Sequence, residues 1–254
     1  MAKYRNVITQ SDYGPVIVNR FDNMVGLCIS RYGHWEKDEI ELLQWLMTAC
    51  FKDEREIEIL DVGAYVGFHT LGFARFPFDS VIVHAFEAQR LVFQMLAGTV
   101  ALNSLENVHV HCKAVSDRTG ETIRYARVDY SSAANFGAFE LEHPQKPDFD
   151  GTTLADGHET VTTVRIDDLG LRNVRLIKLD VEGMEHKALI GARNTLITCR
   201  PLLFLEYEKT DFAAVKALLK EADYVSYYAQ RPNILCMPEE FTHVTLQGAV
   251  KVDY

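Results

Sequence analysis

The chain has 254 residues, which at ~150 residues per domain allows one to two domains. Hydrophobic residues make up 48% and charged residues 24%, enough apolar material for a full core, so a disordered chain and a small stapled scaffold are both excluded. Lys and Arg number 26 against 36 Asp and Glu, and the resulting charge of −10 repels phosphate backbones and anionic lipid, so neither a nucleic-acid nor a membrane partner is expected.

The elements follow in chain order. No apolar segment follows Met1-Ala2-Lys3-Tyr4-Arg5, so no signal peptide is expected. Pro15–Val18 and Met24–Ile29 flank the turn-like Arg20-Phe21-Asp22-Asn23 and predict a hairpin over 15–30. Ile40, Leu43, Leu46, Met47 and Cys50 recur at helical spacing and predict a helix from about Lys37 to Cys50. From Ile57 the rhythm changes. Short apolar runs at Ile57–Val62, Val81–Phe86, Val108–Val115, Leu176–Leu179 and Leu202–Leu205 suit strands buried on both faces. Helical stretches at Val66–Arg75, Gln89–Asn103, Met184–Leu196 and Asp211–Glu221 alternate with them, which implies right-handed crossovers and a parallel sheet. Between Asp117 and Asp168 the alternation breaks: Thr122–Val128 and Thr160–Ile166 predict extra strands around a polar segment from Ser131 to Gly157. Tyr224–Tyr228 and Ile234–Met237 predict a final strand pair.

The five cysteines (Cys28, Cys50, Cys112, Cys199, Cys236) are scattered and form no CxxC, so neither a zinc site nor a disulfide framework is expected. No apolar run approaches the ~18 residues needed to span a bilayer. A soluble, cytoplasmic protein is expected, and the sequence assigns no oligomeric state.

Three segments carry chemistry. In Ile59-Leu60-Asp61-Val62-Gly63-Ala64-Tyr65-Val66-Gly67 an apolar strand runs into two glycines and then a helix. Gly63 permits a turn and close approach of a ligand, while Gly67 allows close helix packing with free N–H groups in the first turn. Any doubly wound fold also needs such a turn. Tyr65 stands where a dinucleotide-binding GxGxxG has its second glycine, which counts against NAD or FAD. Glu87 ends the second strand, 20 residues past Gly67, where a carboxylate accepts from two ribose hydroxyls or caps the next helix. Asp180 ends the fourth strand, where open α/β sheets bind ligands. Glu182 and His186 share the face of the helix that follows. Acids there, Glu182 and Glu185, would equally stabilise the helix dipole, and His186 alone reads better as surface or packing.

ILDVGAYVGFHTL (59–71), VHAFEAQ (83–89), NVHVHCKAVSDRTGE (107–121), VRIDDL (164–169) and IKLDVEGMEHKALIGA (177–192) together resemble S-adenosylmethionine-dependent methyltransferases of the class I fold, specifically the FkbM family. YGHWE (32–36) and RPNILCMP (231–238) also look like that family. The resemblance implies an α/β, Rossmann-like, doubly wound and mostly parallel sheet with an antiparallel C-terminal strand. The expected organisation is a lid-like N-terminal hairpin and helix extension (1–54) and a methyltransferase domain (55–254) with a β-rich insertion at about 118–165. It also implies S-adenosylmethionine as cofactor. Asp61, Gly63, Ala64 and Gly67 would hold its methionyl end, with Thr70 near the carboxylate. Glu87, with Ala88 beside it, would bind the ribose, and Ala114, Val115, Ser116 and Asp117 would border the adenine. Asp180 and Glu182 would lie near the sulfonium and acceptor. Tyr65 replaces the family's usual Asn and is kept as a pocket wall.

The implied reaction is O-methylation of a hydroxyl on a sugar, glycan or secondary metabolite. Holding the acceptor oxygen in line supplies most of the acceleration, and a base adds to it. Asp180 and Glu182 are the candidate bases, with His186 third and Glu206 an outsider. No metal is expected, although Asp180 with Glu182, His186 or Glu206 would offer Mg²⁺ hard ligands. The acceptor site would be built from the N-terminal elements, the 131–157 segment and the C-terminal strands. Aromatics there (Tyr32, Trp35, Tyr130, Phe136, Phe139) read mostly as packing. Two alternatives stay open: a catalytically silent S-adenosylmethionine-binding module and a nicotinamide-dependent oxidoreductase.

Overall fold

The computed structural model describes residues 4–142, 152–241 and 244–254. Its centre is an eight-stranded sheet. Five parallel strands, β3 (Glu56–Val62), β4 (Ser80–Phe86), β5 (Val108–His111), β9 (Val174–Leu179) and β10 (Leu202–Glu206), lie in the order β10-β9-β3-β4-β5. β12 (Asn233–Pro238) joins antiparallel to β10, with β11 (Tyr224–Tyr228) and β13 (Val250–Lys251) beyond it. The expected antiparallel C-terminal strand is thus present. β6 (Ala114–Val115), β7 (Thr122–Val128) and β8 (Leu154–Val164) form a separate small sheet.

Alternation along each strand explains the unbroken apolar runs. Ile59, Leu176, Leu202 and Phe204 face one buried cluster, while Leu60, Ile177, Leu203 and Leu205 face another. The first cluster is covered by α2 (Lys37–Phe51), α3 (Phe68–Phe73) and α4 (Arg90–Leu102); the second by α5 (Glu185–Ile190), α6 (Arg193–Cys199) and α7 (Phe212–Glu221). A sheet covered on both faces is the doubly wound arrangement. Among the described residues no helix is long and apolar enough to cross a membrane.

The N-terminus departs from expectation. The hairpin lies earlier, with β1 (Asn6–Ser11) paired antiparallel to β2 (Gly14–Asn19), and 25–32 is a helix, α1 (Val25–Tyr32). Asp22 decides this, because its carboxylate accepts the N–H groups of Met24 (3.0 Å) and Gly26 (2.8 Å) at the helix entry. A short apolar run does not by itself separate strand from helix. β2 is fixed to α4, since Ile17 N–H donates to Thr99 Oγ1 at 3.0 Å and Asn103 Nδ2 to the Pro15 carbonyl at 2.7 Å.

Three further boundaries differ. The run Val108–Val115 divides, as β5 stays in the main sheet and β6 pairs with β8. β8 begins at Leu154, well before the expected Thr160, and pairs antiparallel with β7 back to Val128, while 166–169 is a 3₁₀ turn. Part of the predicted 131–157 segment, residues 143–151, lies outside the described residues. The stretch expected as one helix over Met184–Leu196 is two. Asp167 separates them, donating its N–H to the Gly191 carbonyl (2.9 Å) while its carboxylate accepts from Asn194 N (3.1 Å) and Thr195 N (2.9 Å) to start α6. Gly191 must lack a side chain here, since a Cβ would stand 2.1 Å from the Ser116 carbonyl oxygen.

Candidate active site

Chain order reverses between β3, which leads to β4 and β5, and β9, which leads to β10. Ligands bind outside the carboxyl ends of strands at such a switch point. A cavity of about 300 Å³ opens there. β3 ends at Gly63, whose φ is 85°, and a Cβ on it would lie 1.8 Å from the Asp180 carbonyl oxygen at the end of β9. The glycine is therefore required by the approach of two strand ends, rather than only by a ligand.

The cavity wall brings together Gly63, Ala64, Tyr65, Glu87, Ala88, Ala114, Val115, Asp180 and Glu182 from the sequence expectation. Glu87 is 6% exposed, and each of its oxygens takes one backbone N–H: Oε1 from Gln89 at 2.7 Å and Oε2 from Tyr65 at 3.1 Å. That holds the carboxylate rigid and leaves lone pairs on both oxygens for further donors. Burial pushes its pKa up to about 7. Tyr65 takes a left-handed backbone (φ 51°) and its hydroxyl donates to Asp22 Oδ2 at 2.8 Å, so its phenol ties the N-terminal segment to the turn.

Asp61, Gly67, Thr70, Ser116, Asp117 and His186 do not line the cavity. Asp61 and Thr70 are fully buried beneath it, with the Thr70 hydroxyl donating to Asp61 Oδ2 at 2.5 Å. Asp61 Oδ1 has no hydrogen-bond partner, a buried acceptor beside the turn. Ser116 lies against Gly191, and the His186 N–H donates to Thr210 Oγ1 on the other side of the sheet.

The sequence assigns no role to one residue of the site. Lys178 pairs in register with Asp61 across β3 and β9, and its ammonium, 4% exposed, donates to Asp180 Oδ2 at 3.0 Å. Burial disfavours both charges, but the surrounding acids, Asp180 foremost, together raise the Lys178 pKa, and the neighbouring cations, Lys178 foremost, lower that of Asp180. Glu182 (φ 53°) is ion-paired with Lys209. Asp180, Glu182 and Glu206 each bring a carboxylate oxygen within 4.8 Å of the others. Burial, with Asp180 next, raises both neighbours, Glu206 to about 8 and Glu182 well above the usual range. Glu185 instead caps the turn, accepting from Val181 N (2.9 Å) and Gly183 N (3.1 Å).

From the turn between α1 and α2 come Trp35 and Glu36, and from the insertion Asn135, Phe139 and Leu141, all on the cavity wall. Tyr130 and Phe136 pack behind them, and Tyr32 is 65% exposed. An alternating strand pattern could not reveal this roof, because it is assembled from loops far apart in sequence.

A Rossmann-like doubly wound sheet, its terminal strand reversed, with a carboxylate rigidly held at the end of the second strand, defines a class I methyltransferase. The Methyltransferase FkbM domain family matches residues 61–226, more than half of the sequence. The chain belongs to the FkbM methyltransferase family, and S-adenosylmethionine is its cofactor. The nicotinamide-dependent alternative is thereby set aside. Among solved structures, it is similar to methyltransferase FkbM from Methylobacillus flagellatus KT, with 19% identity, TM-score 0.50, and coverage of 75% of this chain and 47% of that chain. This chain therefore spans about half the length of that relative. It is also similar to M. jannaschii TYW2 in complex with AdoMet, at 12% identity and TM-score 0.48, covering 93% of this chain and 86% of that chain. No curated protein matches.

The residues present fit the cofactor. A rigid carboxylate with free lone pairs suits vicinal ribose hydroxyls, and the apolar Ala114–Val115 strand end suits a flat base.

Proposed function

We propose that the protein transfers a methyl group to a hydroxyl of a sugar, glycan or secondary metabolite. The observation that carries this reading is the trio Asp180, Glu182 and Glu206 on the wall of the same cavity as Glu87, one carboxylate kept ionised chiefly by Lys178 and two whose pKa values burial and Asp180 raise. Bound S-adenosylmethionine supplies an electrophilic methyl on a sulfonium. Glu87 would accept from the ribose hydroxyls and set the cofactor's direction, and the ionised Asp180 carboxylate would stabilise the sulfonium charge. Glu182 and Glu206 titrate as a pair, and an ionised member takes the acceptor's proton as its oxygen gains the methyl. A base whose pKa lies near the working pH is the efficient one.

In this reading residues 1–54 cover the acceptor side of a methyltransferase domain at 55–254, with Trp35 and Glu36 contributing to its wall. The charge of −10 favours a small-molecule or glycan acceptor over a nucleic acid. Five unpaired cysteines fit a reducing compartment such as the cytoplasm.

The test uses labelled S-adenosylmethionine with a library of hydroxyl acceptors, alongside calorimetry of cofactor binding. Label is expected on an acceptor oxygen, with Glu206→Gln slowing turnover ~10²–10⁴-fold at unchanged cofactor affinity. Tight cofactor binding without transfer to any hydroxyl would leave a silent binding module and defeat the proposal.

A further inference from the structure

A second cluster reaches the same cavity from α2, the turn before it and α3. Glu39 (5% exposed) and His69 (7% exposed) are almost fully enclosed, and Glu36 at the rim is half-buried. Asn233 Nδ2 donates to Glu39 Oε1 at 3.0 Å, which turns the other oxygen, Oε2, toward His69 Nε2. Those two atoms face each other at 3.8 Å, and neither has a hydrogen-bond partner. Glu36 Oε2 stands 4.0 Å from the same nitrogen, and all three ligand atoms lie within 4.8 Å of one another.

These separations are too long for hydrogen bonds. The 3.8 and 4.0 Å pairs fall within the span of about 4.4 Å that two ligands bonded at ~2.2 Å to one cation can reach. Leaving two buried polar atoms unpaired is costly, and one ion between them would satisfy both. Charge points the same way. Glu36, Glu39, Asp61 and Asp180 all act electrostatically on Lys178. Its ammonium is already committed to Asp180.

We propose that Glu36, Glu39 and His69 form a binding site for a first-row divalent cation of the Mn²⁺ or Zn²⁺ type. One imidazole with two carboxylates suits such ions better than Mg²⁺ or Ca²⁺, which favour all-oxygen sets. Glu36 and His69 line the cavity, so remaining coordination positions face the space assigned above to the acceptor. This last placement rests on the methyltransferase reading; the ion site itself does not.

The test is titration of the EDTA-dialysed full chain with Mn²⁺ followed by electron paramagnetic resonance, and with Zn²⁺ by calorimetry. One ion per chain is expected, at least tenfold weaker in His69→Ala and Glu39→Gln. Glu36→Gln, at the rim, guards against a folding defect and is expected to weaken binding as well, with an unaltered melting curve. Failure of both ions to bind stoichiometrically, or binding that survives His69→Ala and Glu39→Gln, overturns the proposal. So does loss of the ion in Glu206→Gln, which would assign it to the other carboxylate cluster. Glu87→Ala separates the two readings: it is expected to lose S-adenosylhomocysteine binding and retain the ion. Cofactor binding that persists there defeats the cofactor assignment alone.

Discussion

Gly63→Ala tests the junction on which the site is built. Alanine at φ 85° carries a left-handed strain of ~1–2 kcal/mol. The new Cβ would also sit 1.8 Å from the Asp180 carbonyl oxygen, where carbon atoms do not approach within 3.0 Å, so the ends of β3 and β9 must part by roughly 1.2 Å. Such displacement in a packed interior costs typically ~1–3 kcal/mol. It also strains the Asp180 N–H to Val62 carbonyl bond of 3.0 Å, a further ~0.5–1.5 kcal/mol. The sum is about 3–6 kcal/mol. Gly120→Ala is the matched control, because Gly120 has the same φ of 85° and nothing within 4 Å of a Cβ. It should cost only the dihedral strain. Paired denaturant and thermal unfolding would measure the difference. At ~2–4 °C per kcal/mol for a chain of this size, Gly63→Ala should melt some 5–15 °C below Gly120→Ala. Cofactor affinity, by calorimetry, should fall only in the former. Equal melting temperatures for the two variants would refute the claim that the strand ends, rather than the dihedral, require glycine.

Two further outcomes concern charge. Glu87 is raised from 4.5 to about 7, so the folded protein holds a proton between those values that the unfolded chain has lost. Its contribution to stability therefore falls as pH rises across that window, by up to ~1.4 kcal/mol per pH unit. Cofactor affinity should move the other way, strengthening about tenfold from pH 6 to 8 if the ionised form accepts the ribose hydroxyls. Glu87→Gln should flatten that profile, and an affinity independent of pH in the wild type would contradict the assignment. Lys178→Met leaves Asp61 and Asp180 without their counter-ion and should destabilise the fold by ~3–5 kcal/mol. A melting temperature within about 1 °C of wild type would show that solvent, rather than Lys178, neutralises those acids.

Local rules carried the core a long way. Runs such as Ile57–Val62 announce burial on both faces, and the sheet delivers it, with Ile59 and Leu60 entering opposite clusters. Glu87 follows its strand at the offset a ribose partner needs, and it reaches the cavity. The misreadings share a cause: a capping carboxylate, near in one case and distant in the other, outvoted the apolar pattern. Asp22 turned an apparent strand into α1, and Asp167 divided one helical run into α5 and α6. Lys178 sits inside the quoted 177–192 segment, but a lysine in an apolar strand acquires a role only beside Asp61 and Asp180. Glu39 and His69 meet across two helices and the sheet, a proximity that spacing along the chain does not encode.

Three non-glycine residues on the cavity wall, Glu36, Tyr65 and Glu182, have φ angles of 48°, 51° and 53°. Each stores strain of ~1–2 kcal/mol that glycine would release. The cavity is therefore a local debit against the stability of the whole. Laboratory selection for heat resistance alone would drift toward glycine at these positions and dismantle the site while improving the scaffold. Selection for turnover would hold them in place, so heat resistance and catalysis pull this sequence in opposite directions.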